Sequence, residues 1–235
     1  MKDIHNHLLY GVDDGLSTIE ESITLIKELV KRGYTHLILT PHYVTDTRYS
    51  VANKEKEQKL EQLKKSLLDE NINIYLGNEI FITDNIKELI KSKKIKTLAS
   101  TKYILIELSS YHQLSNDKEI LFDLIKKGYI PILAHPERYD YYQDDIEVYK
   151  DLVDKGVLLQ GNLFSLLDKH NKRKVLIKLI KENLIHFLST DIHKIKDLEL
   201  LDKSMKQLNK IIPKEKIKEL LDLNMNKIIE STTQG

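Results

Sequence analysis

The chain has 235 residues, and its 37 Lys and Arg against 36 Asp and Glu leave a net charge of +1, which gives no global electrostatic reason to expect a nucleic-acid or membrane surface. It contains no cysteine, which excludes disulfides, thiolate zinc sites and cysteine nucleophiles. No apolar run approaches the roughly 18 residues of a membrane span and the N-terminus carries no signal-peptide core, so the expectation is a cytoplasmic protein without direct membrane insertion.

In chain order, the first alternating run is "KDIHNHL" at 2–8. As a strand it turns His5 and His7 to one face, about 7 Å apart, and the loop after it carries Asp14. An amphipathic helix is expected at 18–32, with Ile19, Ile23, Ile26 and Val30 on its apolar side. It stops at "KRGY", a glycine preceded by basic residues that suit a helix C-terminus. The second strand, 36–40, runs into "TPHYV" with His42, and Arg48 lies in the loop beyond. A helix at 52–70 leads to a strand at 73–77 that ends in "GNEIF" with Glu79. The pattern then repeats: a helix at 85–92, a strand at 103–108 bearing Glu107, a helix at 118–127 and a strand at 130–134 running into "HPER" with His135 and Arg138. A helix at 146–155, a strand at 157–160 continuing into "QGN" with Asn162, and a helix at 171–182 follow. The last strand, 186–189, runs into "STDIH" with Asp191 and His193, and Lys194 and Lys196 come next. Two more helices, 197–210 and 214–230, are separated by Pro213, and the tail from 231 to 235 is expected to fray.

Strict strand–helix alternation is the pattern of a parallel sheet covered by helices, and seven such units fit an α/β barrel better than a doubly wound open sheet. No linker or low-complexity tract interrupts residues 1–235, so one domain is expected. In parallel α/β architectures the C-terminal strand ends meet on one rim. His5, His7, Asp14, His42, Glu79, Glu107, His135, Asp191 and His193 all fall there. Nine imidazoles and carboxylates exceed the four ligands of one tetrahedral zinc, and they suit two or three divalent ions sharing bridging carboxylates. Nitrogen and oxygen donors without sulfur fit manganese, iron or zinc. Any one of these histidines alone would be read as a hydrogen-bonded structural residue; their joint placement argues otherwise. His36, His112, His170 and His186 lie away from the rim and are read as structural or solvated.

With those residues assembled, the chain resembles the PHP (polymerase and histidinol phosphatase) superfamily through "DIHNH", "TPH", "HPER" and "STDIH". Within it, "DIHNHLLYGVDDG", "KYILIELS" and "GYIPILAHPERY" are similar to the bacterial capsule- and exopolysaccharide-type protein tyrosine phosphatases. The resemblance implies a distorted seven-stranded TIM-like barrel and a trinuclear site usually filled by manganese or iron. It further implies hydrolysis of phosphotyrosine on the tail of a membrane-associated capsule-synthesis tyrosine kinase. On that reading a hydroxide shared by two ions attacks phosphorus and the planar fork of Arg138 clamps the phosphoryl oxygens. The family commonly has an arginine shortly after the last motif. Here Lys194 and Lys196 stand instead, with Arg48 as another cation and Asn162 as a water or phosphate contact. Tyr43, Tyr49, Tyr111 and Tyr139 are candidates to line the rim. The alternatives are a histidinol-phosphate phosphatase on the same metals, a polymerase-associated exonuclease, and a module that binds phosphotyrosine without cleaving it. Balanced charge argues against the exonuclease.

Overall fold

A computed structural model describes residues 1–82, 86–92, 94–142 and 145–231; the expected helix start at 85 and the end of the tail, 232–235, lie outside the described residues. The strands among the described residues are β1 (Lys2–Asp3), β2 (His36–Leu39), β3 (His42–Tyr43), β4 (Asn73–Leu76), β5 (Glu79–Phe81), β6 (Tyr103–Glu107), β7 (Ile130–Ala134), β8 (Leu158–Asn162) and β9 (Phe187–Ser189). Between and after them come α1 (Ile19–Lys31), α2 (Asn53–Ser66), α3 (Ile86–Lys91), α4 (Asp117–Lys126), α5 (Ile146–Asp154), α6 (Asn171–Lys181), α7 (Leu198–Ile211), α8 (Lys214–Lys218) and α9 (Asn224–Glu230), the last two joined through a wide π turn. The fold is α/β with parallel pairing throughout. One sheet has the order β1-β2-β4 and the other β3-β5-β6-β7-β8-β9.

Two of the seven expected strands are each broken in two. The second is interrupted after Leu39, where Pro41 cannot donate to a ladder. The third is interrupted at Gly77 and Asn78. A Cβ at Gly77 would lie 2.6 Å from a Leu98 methyl group, so only glycine permits that approach. Asn78 spans the gap, donating from Nδ2 to the Pro41 carbonyl at 2.9 Å and accepting from Lys56 Nζ at 2.9 Å. The first strand is also shorter than expected. Beyond Asp3 the segment is joined by a parallel bridge between Asn6 and Ile192, flanked by bonds from Asp191 N to His5 O at 2.8 Å and from His7 N to Ile192 O at 3.0 Å, while Thr40 N donates to Asn6 O at 3.0 Å on the other side. The opening and closing segments of the chain are thereby tied together.

Period-two alternation positions the site. On one face of each strand the side chains run 38-40-42, 75-77-79, 105-107, 132-134, 158-160-162 and 187-189-191. The lower members, Ile38, Leu105, Ile132 and Phe187, pack into one apolar cluster with Ile4, closed below by Met225 and Ile228 of α9. The upper members are His42, Glu79, Glu107, Gln160, Asn162 and Asp191. All but one of these stacks thus finish in a polar group at the C-terminal end; the 132-134 stack ends in Ala134, within the plug. The opposite strand faces pack against the helices in a second, larger core that includes Leu37, Leu39, Ile104, Ile106 and Leu133. Among the described residues, no helix is long and apolar enough to cross a membrane.

Candidate metal centre

The structure brings all nine rim residues into one connected cluster. Their ligand atoms form three groups, each within 4.8 Å: His7, Asp14, His42 and His193; His5, His7, Glu79 and Asp191; and His42, Glu79 and Glu107. His7, His42 and Glu79 are each shared between two groups. His135 joins through Nε2, 2.9 Å from Glu79 Oε1 and 3.7 Å from Glu107 Oε1.

His5 and His7 stand on either side of the Asn6 bridge, with their Nε2 atoms 3.4 Å apart. His5 Nδ1 donates to Gln160 Oε1 at 2.8 Å and His7 Nδ1 to Asp13 Oδ2 at 2.7 Å. These bonds hold a proton on each Nδ1 and turn Nε2 toward the cluster, the nitrogen that would give its lone pair to a cation. His193 is set in the same way by its bond from Nδ1 to the Asp191 carbonyl at 2.8 Å. Asp13 also accepts from the backbone N–H of Gly15 and His42, each at 3.0 Å. The turn that carries it needs Gly15, because a Cβ there would collide with the His7 carbonyl oxygen.

Asp191 and His135 sit at φ +53° and +33°, in the left-handed region that non-glycine residues seldom occupy. Asp191 Oδ1 lies 3.3 Å from His5 Nε2 and 3.2 Å from His7 Nε2. Its Oδ2 is held from the other side by Arg138 Nη2 and Asn162 Nδ2, both at 2.8 Å. His135 leads directly into a 3-10 turn, Pro136–Arg138. The buried Glu137 of that turn accepts from Asn162 N at 3.0 Å and Ser165 Oγ at 2.7 Å, which locks the turn to β8.

Among the described residues, His42 Nδ1, Glu79 Oε2 and His135 Nδ1 are buried here without a hydrogen-bond partner, as is Glu137 Oε2 in the turn behind them. His42 Nδ1 and Glu79 Oε2 are 2.9 Å apart, yet they do not meet in hydrogen-bonding geometry. A buried orphan is costly unless something satisfies it. Donors crowded this way, rich in imidazole and carboxylate, fit divalent cations.

Without cations the cluster is held by protons. Burial opposes charge on His5, but Glu79 and Asp191 raise it to about 9. Burial likewise opposes charge on His7, yet Asp13 and the other carboxylates hold it well above the usual imidazole range. Burial and then Glu79 push Glu107 up to about 8. Each group keeps its proton below its own pKa, and a cation must displace these protons to bind, so affinity should rise with pH through the range of about 8 to 9 in which Glu107 and His5 lose theirs, and weaken as pH falls below it. Manganese titration at pH 7.5, in buffers of differing ionisation enthalpy, should show release of at least one proton per chain. Binding with no proton release would contradict this electrostatic reading.

The remaining expected contacts divide. Arg138 is 29% exposed and sits at the edge of the cluster, already engaged with Asp191. Asn162 is fully buried. Its Nδ2 is on Asp191 and its Oδ1 accepts from Phe164 N at 2.7 Å, so both ends of its amide are engaged within the protein. Arg48 is exposed and lies on Tyr49, whose ring centroid is 5.8 Å from that of His42. Lys194 and Lys196 are exposed in the turn after His193. Of the rim tyrosines, Tyr43 and Tyr139 are buried, and the Tyr139 hydroxyl donates to Ala134 O while accepting from Leu108 N. Tyr111 is 75% exposed. His36, His112, His170 and His186 stand away from the cluster; His186 Nδ1, for example, accepts from Leu159 N.

Sequence reasoning missed Asp13, Gln160 and Glu137. Asp13 adjoins a residue that was singled out, and Gln160 lies one alternation before Asn162. A rule that each metal-facing histidine needs a partner for its other nitrogen would have pointed to the first two.

Comparison with known proteins places the family and the fold. The family described as capsular polysaccharide synthesis, CpsB/CapC, matches residues 1–230. CapC of Staphylococcus aureus is 38% identical over 199 residues, 83% of this chain and 78% of that one. Tyrosine-protein phosphatase YwqE of Bacillus subtilis is 34% identical over 201 residues, with the same coverage of 83% and 78%. A crystal structure from work on YwqE of Bacillus subtilis and CpsB of Streptococcus pneumoniae, both metal-dependent tyrosine phosphatases, superposes with a TM-score of 0.74 at 30% identity, covering 86% of this chain and 87% of that one. Histidinol phosphate phosphatase of Lactococcus lactis shares the fold, at 18% identity and a TM-score of 0.58 over 89% of this chain and 93% of that one.

Proposed function

The chain belongs to the CpsB/CapC family of capsular polysaccharide synthesis proteins, and from that premise we infer that it is a metal-dependent protein tyrosine phosphatase. The observation that carries the reading is the set of three ligand groups sharing His7, His42 and Glu79, with the fork of Arg138 at their open edge. The substrate is phosphotyrosine on a protein, and the proposed partner is a membrane-associated tyrosine kinase of capsule or exopolysaccharide synthesis. ATP-dependent phosphorylation belongs to the cytoplasm, and the reading places the phosphatase there.

The nine rim residues would hold two or three divalent ions. Manganese is the first to test, with iron and zinc as alternatives for this donor set. When bound, the ions supply Lewis acidity toward the phosphoryl oxygens and activate water for attack. The chain's own groups do the rest. Asp13 and Gln160 fix the imidazole tautomers of His7 and His5, and Asn162 keeps Asp191 aimed at them. Arg138 offers its remaining donors to a phosphate. The half-open side of the cluster is formed by Asp14 and His193, whose side chains are 47% and 25% exposed, and it admits a phosphate carried on a larger molecule. A phenolate, with a parent pKa near 10, leaves with less acid assistance than an alkoxide. A chain without cysteine has no thiol route to the same product.

In the same reading the two sheets make one distorted barrel and a single domain. Residues 36–43 and 73–81 each form one interrupted stave, and the Asn6–Ile192 bridge supports closure.

The test is kcat/KM for a phosphotyrosine peptide, a phosphoserine peptide and histidinol phosphate, with manganese-loaded protein. The phosphotyrosine peptide should be turned over best. A higher value for histidinol phosphate would replace the protein phosphatase with a metabolic phosphomonoesterase, and turnover of none would leave a binding module.

A further inference from the structure

Arg138 faces two ways. Its Nη2 is on Asp191, and its side chain also lines a surface cavity of about 470 Å³ with Phe164, Lys172 and Leu200. Leu167 and Asp168 line this cavity and also a second one of about 440 Å³, whose walls include Lys169, Arg173 and Lys174. The two form a groove that starts at the edge of the metal centre and runs to the first turn of α6.

The groove is chemically one-sided. Near Arg138 its walls are mixed, with Leu200, 39% exposed, and Phe164 set among Ser110, Ser165 and Lys172. Farther out it is basic, and Asp168 is the one carboxylate among the described residues lining either cavity. Asp168 is itself turned into the chain, where Oδ1 accepts from His170 N at 2.8 Å. Arg173 Nε is buried and has no hydrogen-bond partner among the described residues. No carboxylate is paired with Lys172, Arg173 or Lys174 among the described residues. Cations gathered in the first turn of a helix also lie at the positive end of its dipole, which destabilises the helix unless an anion sits among them.

We propose that this groove binds the polypeptide flanking the phosphotyrosine and that its outer, basic half selects substrates with negatively charged residues on that flank. The inference rests on the phosphotyrosine reading above and names the substrate class within it. Continuity with the phosphate-facing side of Arg138 favours a peptide already anchored in the site over a separate anionic surface such as a membrane. Mixed contact near the centre, with Lys172 already there, and basic residues beyond it suit an extended chain with an acidic segment a few residues from the tyrosine.

The experiment measures kcat and KM for a chromogenic aryl phosphate and for two phosphotyrosine peptides, one flanked by acidic and one by neutral residues. It compares the unaltered protein with the Lys169→Glu/Arg173→Glu/Lys174→Glu variant. Acidic residues in that turn favour the helix dipole, so the variant should fold. The unaltered protein should show a KM for the acidic peptide about tenfold below that for the neutral one, an advantage that shrinks with added salt. The variant should lose that advantage while its kcat/KM on the aryl phosphate stays within about twofold. An unchanged preference in the variant would overturn the proposal. So would an equal loss on all three substrates, or a vesicle-binding defect with no change in peptide KM. Hydrolysis of the aryl phosphate by the unaltered protein with none of either peptide would refute the phosphotyrosine reading itself, a result separable from a failure of the groove.

Discussion

Replacing Glu79 with glutamine should strip the protein of bound metal and of activity together. Glu79 is fully buried and lies 3.2 Å from His5, 3.4 Å from His7 and 2.9 Å from both His42 and His135. It belongs to two of the three ligand groups, so no other single carboxylate serves as many imidazoles. Burial works against its charge, but His5 and His135 hold its carboxyl well below the usual carboxylate range. Glutamine keeps the volume and removes that charge. The imidazoles it leaves behind need not stay cationic. His5, raised to about 9 by Glu79 and Asp191 against the effect of burial, will deprotonate more readily once Glu79 is gone. Asp191 still faces His5 at 3.3 Å and Asp13 still pairs with His7 at 2.7 Å, so the variant should fold. Removing a group that merely supports a metal ligand costs about 10- to 100-fold in affinity or activity. Losing a shared ligand should exceed that range, with the metal content falling by at least one ion per chain. Full metal content with full turnover would show that Glu79 is structural.

The second large effect is expected at Arg138. Arg138→Ala should lower kcat by about 10²- to 10³-fold, about 3–4 kcal/mol, the scale of losing one oriented donor to transition-state charge. Its bond to Asp191 adds a second consequence. Asn162 still holds Asp191 Oδ2, so the carboxylate should keep its place and the metal content should stay the same. Arg138→Lys keeps the charge but loses the planar fork, and it should recover only part of the lost rate. Unchanged turnover in Arg138→Ala, or loss of an ion, would refute the role.

Much of this site was legible in the sequence because strand ends are where parallel α/β folds deliver their side chains. His42, Glu79, Glu107, His135, Asp191 and His193 needed only the strand positions and the direction of the sheet to be placed on one rim. The breaks within the second and third strands were less visible. Pro41 is a signal against continuous pairing, but the Asn78 bonds that span the gap reach a backbone carbonyl 37 residues away and a lysine 22 residues away. The positive φ angles at His135 and Asp191 were hidden for another reason. The usual mark of a left-handed residue is glycine, and here neighbouring bonds impose the conformation on a histidine and an aspartate. Asn162 was assigned to the substrate because its position near the rim was readable. Its Nδ2, directed at Asp191 29 residues away, was not.

The most direct test is to strip the protein with chelator, restore manganese in steps, and measure ions per chain and aryl phosphate turnover in the same samples. Three ligand groups with shared members predict little turnover up to one ion per chain, a steep rise beyond it, and a plateau at two or three. Full turnover at one ion per chain or fewer would contradict the shared metal centre on which the account depends.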